Sequence, residues 1–271
     1  MMELVDTHCH IQSAGNAAGE RTTREIWAKD SVISAEKLVA NATESGVTKL
    51  VCVGCDLEDS QLAVDFVQNH PSCWASIGLH PHEAQHYVDD QTKRDNFATL
   101  AVSPKVIAIG ECGLDYFYEH SPRDAQIMVL KFQIELAIEH NLPLIFHVRE
   151  AFDDFWPILD EYESIRGVLH SYTDTQANLD KALERGLYIG VNGIATFAKS
   201  QSQLDVYRAV PLQKLLLETD APFLTPTPYR GTINQPKRVG TIAEFVASLR
   251  GESLEQLAAA TTQNAHDLFG I

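Results

Sequence analysis

The chain has 271 residues, a formal net charge of −16, a pI near 5.0 and 45% hydrophobic residues. This length slightly exceeds the roughly 250 residues of a typical eight-stranded α/β barrel, and the apolar content suffices for a large core. The acidic balance excludes a protein that coats nucleic acid through nonspecific cationic contacts, and no apolar run approaches the ~20 residues that span a bilayer.

The opening MMELVDTHCH carries no basic segment followed by an apolar one, so no secretory signal is expected. Cys9, Cys52, Cys55, Cys73 and Cys112 are odd in number and form no framework. Reduced thiols in a cytoplasmic protein are the expectation. Cys52-Val-Gly-Cys55 is a lone CxxC within and just after an apolar run, and reads as small packed residues.

In chain order, short apolar and often β-branched runs predict strands at 3–9, 48–54, 73–79, 105–111, 142–147, 166–171, 187–191 and 213–219. Helical signals separate them. Ser34 offers an N-cap to SAEKLVANATES, which Gly46 follows. Pro122 suits the first turn of RDAQIMVLKFQIELAIEH, whose stripe is Ile127, Leu130, Ile134 and Ala137 and whose end is Asn141. Gly186 ends NLDKALER. PKRVGTIAEFVASLR supplies an eighth helix, and SLEQLAAATTQNAHDLFG predicts an additional C-terminal helix across one end. The pattern predicts an α/β fold, a (β/α)8 TIM barrel forming a single domain over 1–271. An open doubly wound sheet is the alternative, but HCHIQSAGNAAGE lacks the glycine fingerprint expected after its first strand. Residues 11–33 form a long polar loop that predicts either a lid or a surface insertion. A second loop spans Leu114–Ser121.

Six metal-binding side chains fall at the carboxyl ends of these runs: His8, His10, Glu111, His147, His170 and Asp220. Residues two apart on a strand point the same way, so His8 and His10 project together and Cys9 faces away. By the same parity Glu111 shares a side with Ile107 and Ile109. A carboxylate ending an apolar strand is costly to bury unless paired or metal-bound, and Glu111 can bridge two ions. His147 and His170 suit the second ion, and Asp220 completes the first beside His8 and His10. Barrel active sites lie at this end of the strands. The set predicts a two-metal hydrolase in which Asp220 accepts a proton from the attacking water. Four imidazoles favour zinc, manganese or another transition ion.

Other residues are candidates for substrate contact. His80 would orient substrate or protonate a leaving group, whereas His82 reads as a loop residue. Arg149 and Arg123 would contact phosphate unless they pair with acids such as Glu150 and Asp115. Tyr116 and Phe117 would stack a base. Glu218 and Asp6 share parity with neighbouring ligands and predict orienting partners. Glu58, Asp59, His70 and His266 read as surface or capping residues.

Taken together, DTHCH (6–10), SIGLHPH (76–82), IGECGLDY (109–116), SPRDAQ (121–126), LPLIFHVREA (142–151), LHSY (169–172), ETDAPFLTP (218–226) and NAHDLFG (264–270) resemble the TatD family of metal-dependent deoxyribonucleases. The resemblance covers almost the whole chain. It implies a metallo-hydrolase barrel that hydrolyses phosphodiesters of DNA and works with magnesium. It also implies that His8, His10, Glu111, His147, His170 and Asp220 ligate metal and that His80 lies in the active site. The segment after DTHCH is longer than usual for the family, HSYTD stands where an HCFSG-like stretch is common, and 226–240 is a looser match. The expected substrate is single-stranded DNA or frayed ends, because a barrel pocket admits a strand end more readily than a duplex. The alternative is a non-phosphate bond, such as an aminoacyl-tRNA ester, an amide or a lactone.

Overall fold

The computed structural model describes residues 3–271. Eight parallel strands pair in sequence order: β1 (Leu4–Cys9), β2 (Val47–Val53), β3 (Cys73–Ile77), β4 (Val106–Asp115), β5 (Leu144–Arg149), β6 (Gly167–Leu169), β7 (Tyr188–Val191) and β8 (Leu215–Leu217). The chain just beyond β8 closes the ring onto β1. Asp220 N donates to His8 O (2.8 Å), His10 N donates to Ala221 O (2.8 Å), and Cys9 and Ala221 form a parallel bridge. This is the expected TIM barrel.

Two irregularities in register set up the site. On β1, Asp6 pairs with Leu50 and Cys9 with Cys52, so β1 spends one more residue than β2 over the same span. On β4, Ile109 pairs with Leu144 and Cys112 with Phe146, again one residue extra. Such a bulge reverses the alternation of side chains. Ile109 therefore packs in the layer under the helices while Ala108 faces the barrel interior. Simple parity had put Ile109 and Glu111 on one side; the bulge between them separates the two. β4 also runs on to Asp115, so Leu114 and Asp115 belong to the strand and not to the predicted loop. The extension needs a glycine, because a Cβ at Gly113 would sit 1.8 Å from His147 O on β5.

The interior is filled by Val5, Val51, Val53, Ala108, Ile145, Val168 and Leu216. Its lower end is stoppered by Ala265, Leu268, Phe269 and Ile271, from α10 (Leu254–Phe269) and the residues after it, as the C-terminal apolar pattern predicts. A capping box between Ser253 and Gln256 starts that helix. The remaining helices are α1 (Arg21–Trp27), α2 (Ala35–Glu44), α3 (Leu57–Gln68), α4 (Gln91–Thr99), α5 (Arg123–Glu139), α6 (Phe152–Leu159), α7 (Gln176–Glu184), α8 (Gln201–Ala209) and α9 (Val239–Arg250). No helix among the described residues is long and apolar enough to cross a membrane.

Residues 11–33 are folded against the barrel. Ile11, Gln12 and Ser13 are buried, Glu20 caps α1, and the buried Trp27 donates its indole N–H to His10 O (3.0 Å). On α5 the predicted stripe is widened by two buried glutamines. Gln133 bonds both the N–H and the carbonyl of Leu79, and Gln126 bonds the N–H and carbonyl of Asp115. They pin the ends of β3 and β4 from behind.

Candidate metal centre

His8 projects from β1 and His10 from the residue that follows it. The β4 bulge aims Glu111 inward, His147 rises from β5, and His170 and Asp220 stand just past β6 and β8. Ser171 and Asp220 occupy the left-handed backbone region, with φ of 50° and 59°. Non-glycine residues held there cost energy and mark positions where surrounding structure dictates the conformation. Gly78 lets the chain just past β3 approach Glu111 closely, since a Cβ there would lie 2.2 Å from Glu111 N.

The structure brings the six side chains together. His8 Nε2 lies 3.2 Å from His10 Nε2, 3.3 Å from Glu111 Oε2 and 3.7 Å from Asp220 Oδ1. His10 Nε2 is 3.3 Å from Asp220 Oδ1. Glu111 Oε1 is 2.7 Å from His147 Nδ1 and 3.7 Å from His170 Nε2, which is 4.0 Å from Asp220 Oδ1. The His8 and His170 rings stack at 3.6 Å.

This donor set fits divalent cations. His10 Nδ1–H donates to Val53 O (2.8 Å), so its Nε2 offers a lone pair to the centre. Glu218 Oε1, which accepts from Ser171 N (2.7 Å), lies 2.9 Å from His170 Nδ1 and so faces that side of the ring, with His170 Nε2 turned to the centre. Glu218 is thus the orienting partner the sequence suggested. The Nε2 atoms of His8 and His10 face each other and the carboxylates of Glu111 and Asp220 in a buried site, a convergence of lone pairs that a cation would satisfy. Without one, protons do the work. Burial pushes His10 down, but Asp220 outweighs it and raises the imidazole to about 9. Burial likewise opposes the rise of His170 to about 10, driven by Glu218 and Glu111. Glu111 is buried, which alone would raise its carboxyl, yet the surrounding histidines hold it well below the usual range.

A second cluster adjoins the first. Asp115, fully buried, accepts at Oδ2 from His147 Nε2 (3.0 Å) and His82 Nε2 (3.1 Å), and at Oδ1 from the N–H groups of Phe117 and Tyr118 (3.0 Å each). His82 is therefore a partner of this centre rather than an ordinary loop residue. His147 spans Glu111 and Asp115; burial opposes its protonation, but the two carboxylates raise it to about 9. His80 Nδ1 accepts from His82 N (3.2 Å), which turns Nε2 towards Glu111 Oε1 at 3.6 Å. Burial pushes His80 down to about 4, so it is neutral near pH 7 and carries its proton on Nε2.

Beneath His10, Asp59 is buried, accepting from Gln12 Nε2 (3.1 Å) and Cys55 N (3.1 Å); it is not a surface residue. Asp6 bonds Thr219 N (2.8 Å) and Thr219 Oγ1 (2.6 Å), and so ties β1 to the chain after β8 rather than orienting a ligand ring. Neither Asp115 nor Asp59 carries a local sequence signal as a site residue. Their polarity was visible, but their burial depends on the β4 extension and on the folded 11–33 segment. Of the substrate-contact candidates, Arg149 lines a cavity of about 290 Å³ together with His170. Arg123 instead pairs with Glu119 (2.8 Å) and lies over Tyr116, whose hydroxyl donates to Asp154 (2.8 Å).

A barrel that gathers imidazoles and carboxylates at the carboxyl ends of its strands defines a metal-dependent hydrolase. The sequence matches the profile of TatD related DNase over residues 5–270, and the chain belongs to that family. It is 35% identical to the uncharacterized metal-dependent hydrolase YabD of Bacillus subtilis (strain 168) over 99% of both chains. It is 37% identical to the 3'-5' ssDNA/RNA exonuclease TatD of Citrobacter rodentium (strain ICC168), covering 93% of this chain and 97% of that protein. The crystal structure of YJJV, a TatD homologue from Escherichia coli K12, superposes with a TM-score of 0.87 at 26% identity, covering 100% of this chain and 99% of that one.

Proposed function

We propose that this protein is an exonuclease that hydrolyses phosphodiester bonds at the 3′ end of single-stranded DNA or RNA. Two divalent ions would be held by His8, His10, Glu111 and Asp220 on one side and by Glu111, His147 and His170 on the other. The observation that carries this reading is the buried convergence of His8 Nε2, His10 Nε2, Glu111 Oε2 and Asp220 Oδ1 within 3.2–3.7 Å. The substrate and direction follow the names of relatives such as the Citrobacter protein.

When bound, such a pair of cations supplies Lewis acidity and an acidified water. Zinc and manganese suit the imidazole-rich donor set, and magnesium is the ion the family resemblance implies. The protein's own groups do the rest. Asp220, held ionised by the surrounding imidazoles against its burial, takes the proton of the attacking water on its carboxylate. His80 presents a neutral Nε2–H that positions a phosphate oxygen. Arg149 faces the cavity beside His170 and contacts phosphate, whereas Arg123 and Tyr116 are occupied by Glu119 and Asp154. The cavity lies just below the usual size of a small-ligand site, roughly 300–1,000 Å³, which suits a strand end rather than a duplex.

The test is to add Mg2+, Mn2+ or Zn2+ back to metal-stripped protein with 5′-labelled and 3′-labelled single strands, beside an Asp220→Ala control. The expected result is metal-dependent shortening, with the 3′ label lost first and no shortening in the control. Intact strands with every ion, while metal still binds, would refute it.

A further inference from the structure

One cation at the rim has nothing to bind. Of the eleven arginines, Arg149 is the one whose guanidinium makes neither a hydrogen bond nor an ion pair among the described residues. Arg149 instead lies over the ring of Phe117 at 4.0 Å and beside Tyr118 at 4.8 Å. Stacking of this kind fixes the plane of the guanidinium and leaves its five N–H donors free at the edge, the geometry that grips a phosphate bidentately.

Phe117 and Tyr118 are 49% and 50% exposed. Their rings meet edge to face at 4.8 Å, and Tyr118 is backed by a parallel His120 ring at 5.6 Å. The turn that presents them is anchored at Asp115 Oδ1, while Oδ2 of the same carboxylate holds His147. Arg149 itself is two residues beyond His147 on β5 and shares its cavity with His170. The aromatic pair, the free guanidinium and the histidine centre are therefore mechanically one unit. Glu150 and Asp174 also line the cavity and offer no second site for an anion.

We propose that Phe117, Tyr118 and Arg149 form the platform that holds a single strand for cleavage. Arg149 binds the phosphate next to the scissile one, a base stacks on Phe117, and Tyr118 braces the ring. Base–aromatic stacking tolerates any base and either sugar, so the platform selects an unpaired strand rather than a sequence. A paired base has no free face to offer. The proposal rests on the exonuclease reading above and specifies how that site engages its substrate.

The experiment compares wild type with Phe117→Ala, Phe117→Trp and Arg149→Gln on a 5′-labelled oligothymidylate ten-mer, measuring kcat, KM and equilibrium binding. Phe117→Ala and Arg149→Gln are each expected to raise KM roughly tenfold, the scale of losing one stacked base, with kcat nearly kept, and Phe117→Trp is expected to restore KM. Wild-type KM in both weakened variants, or no rescue by Trp, would overturn the platform. If wild type leaves the strand uncut, the exonuclease reading falls, and binding then decides the platform separately. Weaker binding by Phe117→Ala and Arg149→Gln supports it, and equal binding or none by wild type overturns it.

Discussion

The two halves of the centre are built differently. On the β1/β8 side, the His8 and His10 side chains are 0% and 4% exposed. Backbone fixes this half: Val53 O takes the His10 ring N–H, and Asp220 is bonded through its own N–H to His8 O. On the β4/β5 side, the side chains of His80, His147 and His82 are 13%, 20% and 25% exposed, although His170, which would complete that site, is only 4% exposed. There, carboxylates hold two of the imidazoles, with Asp115 between His82 and His147 and Glu111 against His147, while the backbone N–H of His82 sets the His80 ring. The first half is a fixed cage. The second is an open and ionically assembled seat next to the proposed strand platform. An ion in the cage is expected to be retained, and one in the seat to exchange and to meet substrate.

The change with the largest expected effect removes what the halves share. Glu111→Gln is expected to lower hydrolysis by more than the roughly 10–100-fold that losing an orienting partner costs, and to weaken metal binding on both sides. Steady-state kinetics and metal analysis check this. Asp115→Asn separates the halves. It is expected to cost about 10–100-fold in affinity for the ion at the β4/β5 seat, as loss of an orienting partner does, and to spare the cage. Calorimetric titration of metal-stripped protein reads both sites.

The pH dependence has a definite sign. In metal-free protein, His10 and His147 rise to about 9 and His170 to about 10, because neighbouring carboxylates outweigh burial. These imidazoles are protonated at pH 7, and a cation must displace their protons. Metal affinity is therefore expected to increase from pH 6 to pH 9 with net proton release, measurable by calorimetry in buffers of different ionisation enthalpy. A flat profile would show that these groups do not ligate. The smallest effect lies behind the cage. Trp27→Phe removes the donor to His10 O and part of a buried ring. It is expected to cost about 1–3 kcal/mol of stability, read from denaturant midpoints, with little change at the β4/β5 seat.

Much of this was legible in the sequence because barrel strands announce themselves locally. Each predicted run contains its observed strand apart from terminal shifts, except β4. The ligand-type residues could be collected because one position, the end of an apolar run, marks them all. Asp115 and Asp59 were not recognisable, since a carboxylate looks exposed until tertiary structure buries it, and His82 reads as a loop histidine until Asp115 is placed beside it. The β4 case shows the physical limit most clearly. Alternation assigns faces by counting residues, and the bulge between Ile109 and Cys112 changes the count without any mark but glycine. The closure at Asp220 is similar: Asp220 lies three residues beyond β8 and is placed by its bond to His8 O.

The most direct test of the two-part centre is a Mn2+ titration of metal-stripped wild type, His10→Ala and His147→Ala, following free ion and magnetic coupling by electron paramagnetic resonance. Two ions of unequal affinity are predicted in wild type, coupled through Glu111, with the tighter lost in His10→Ala and the weaker lost in His147→Ala. A single ion in wild type, or loss of the tight ion in His147→Ala, would contradict the account.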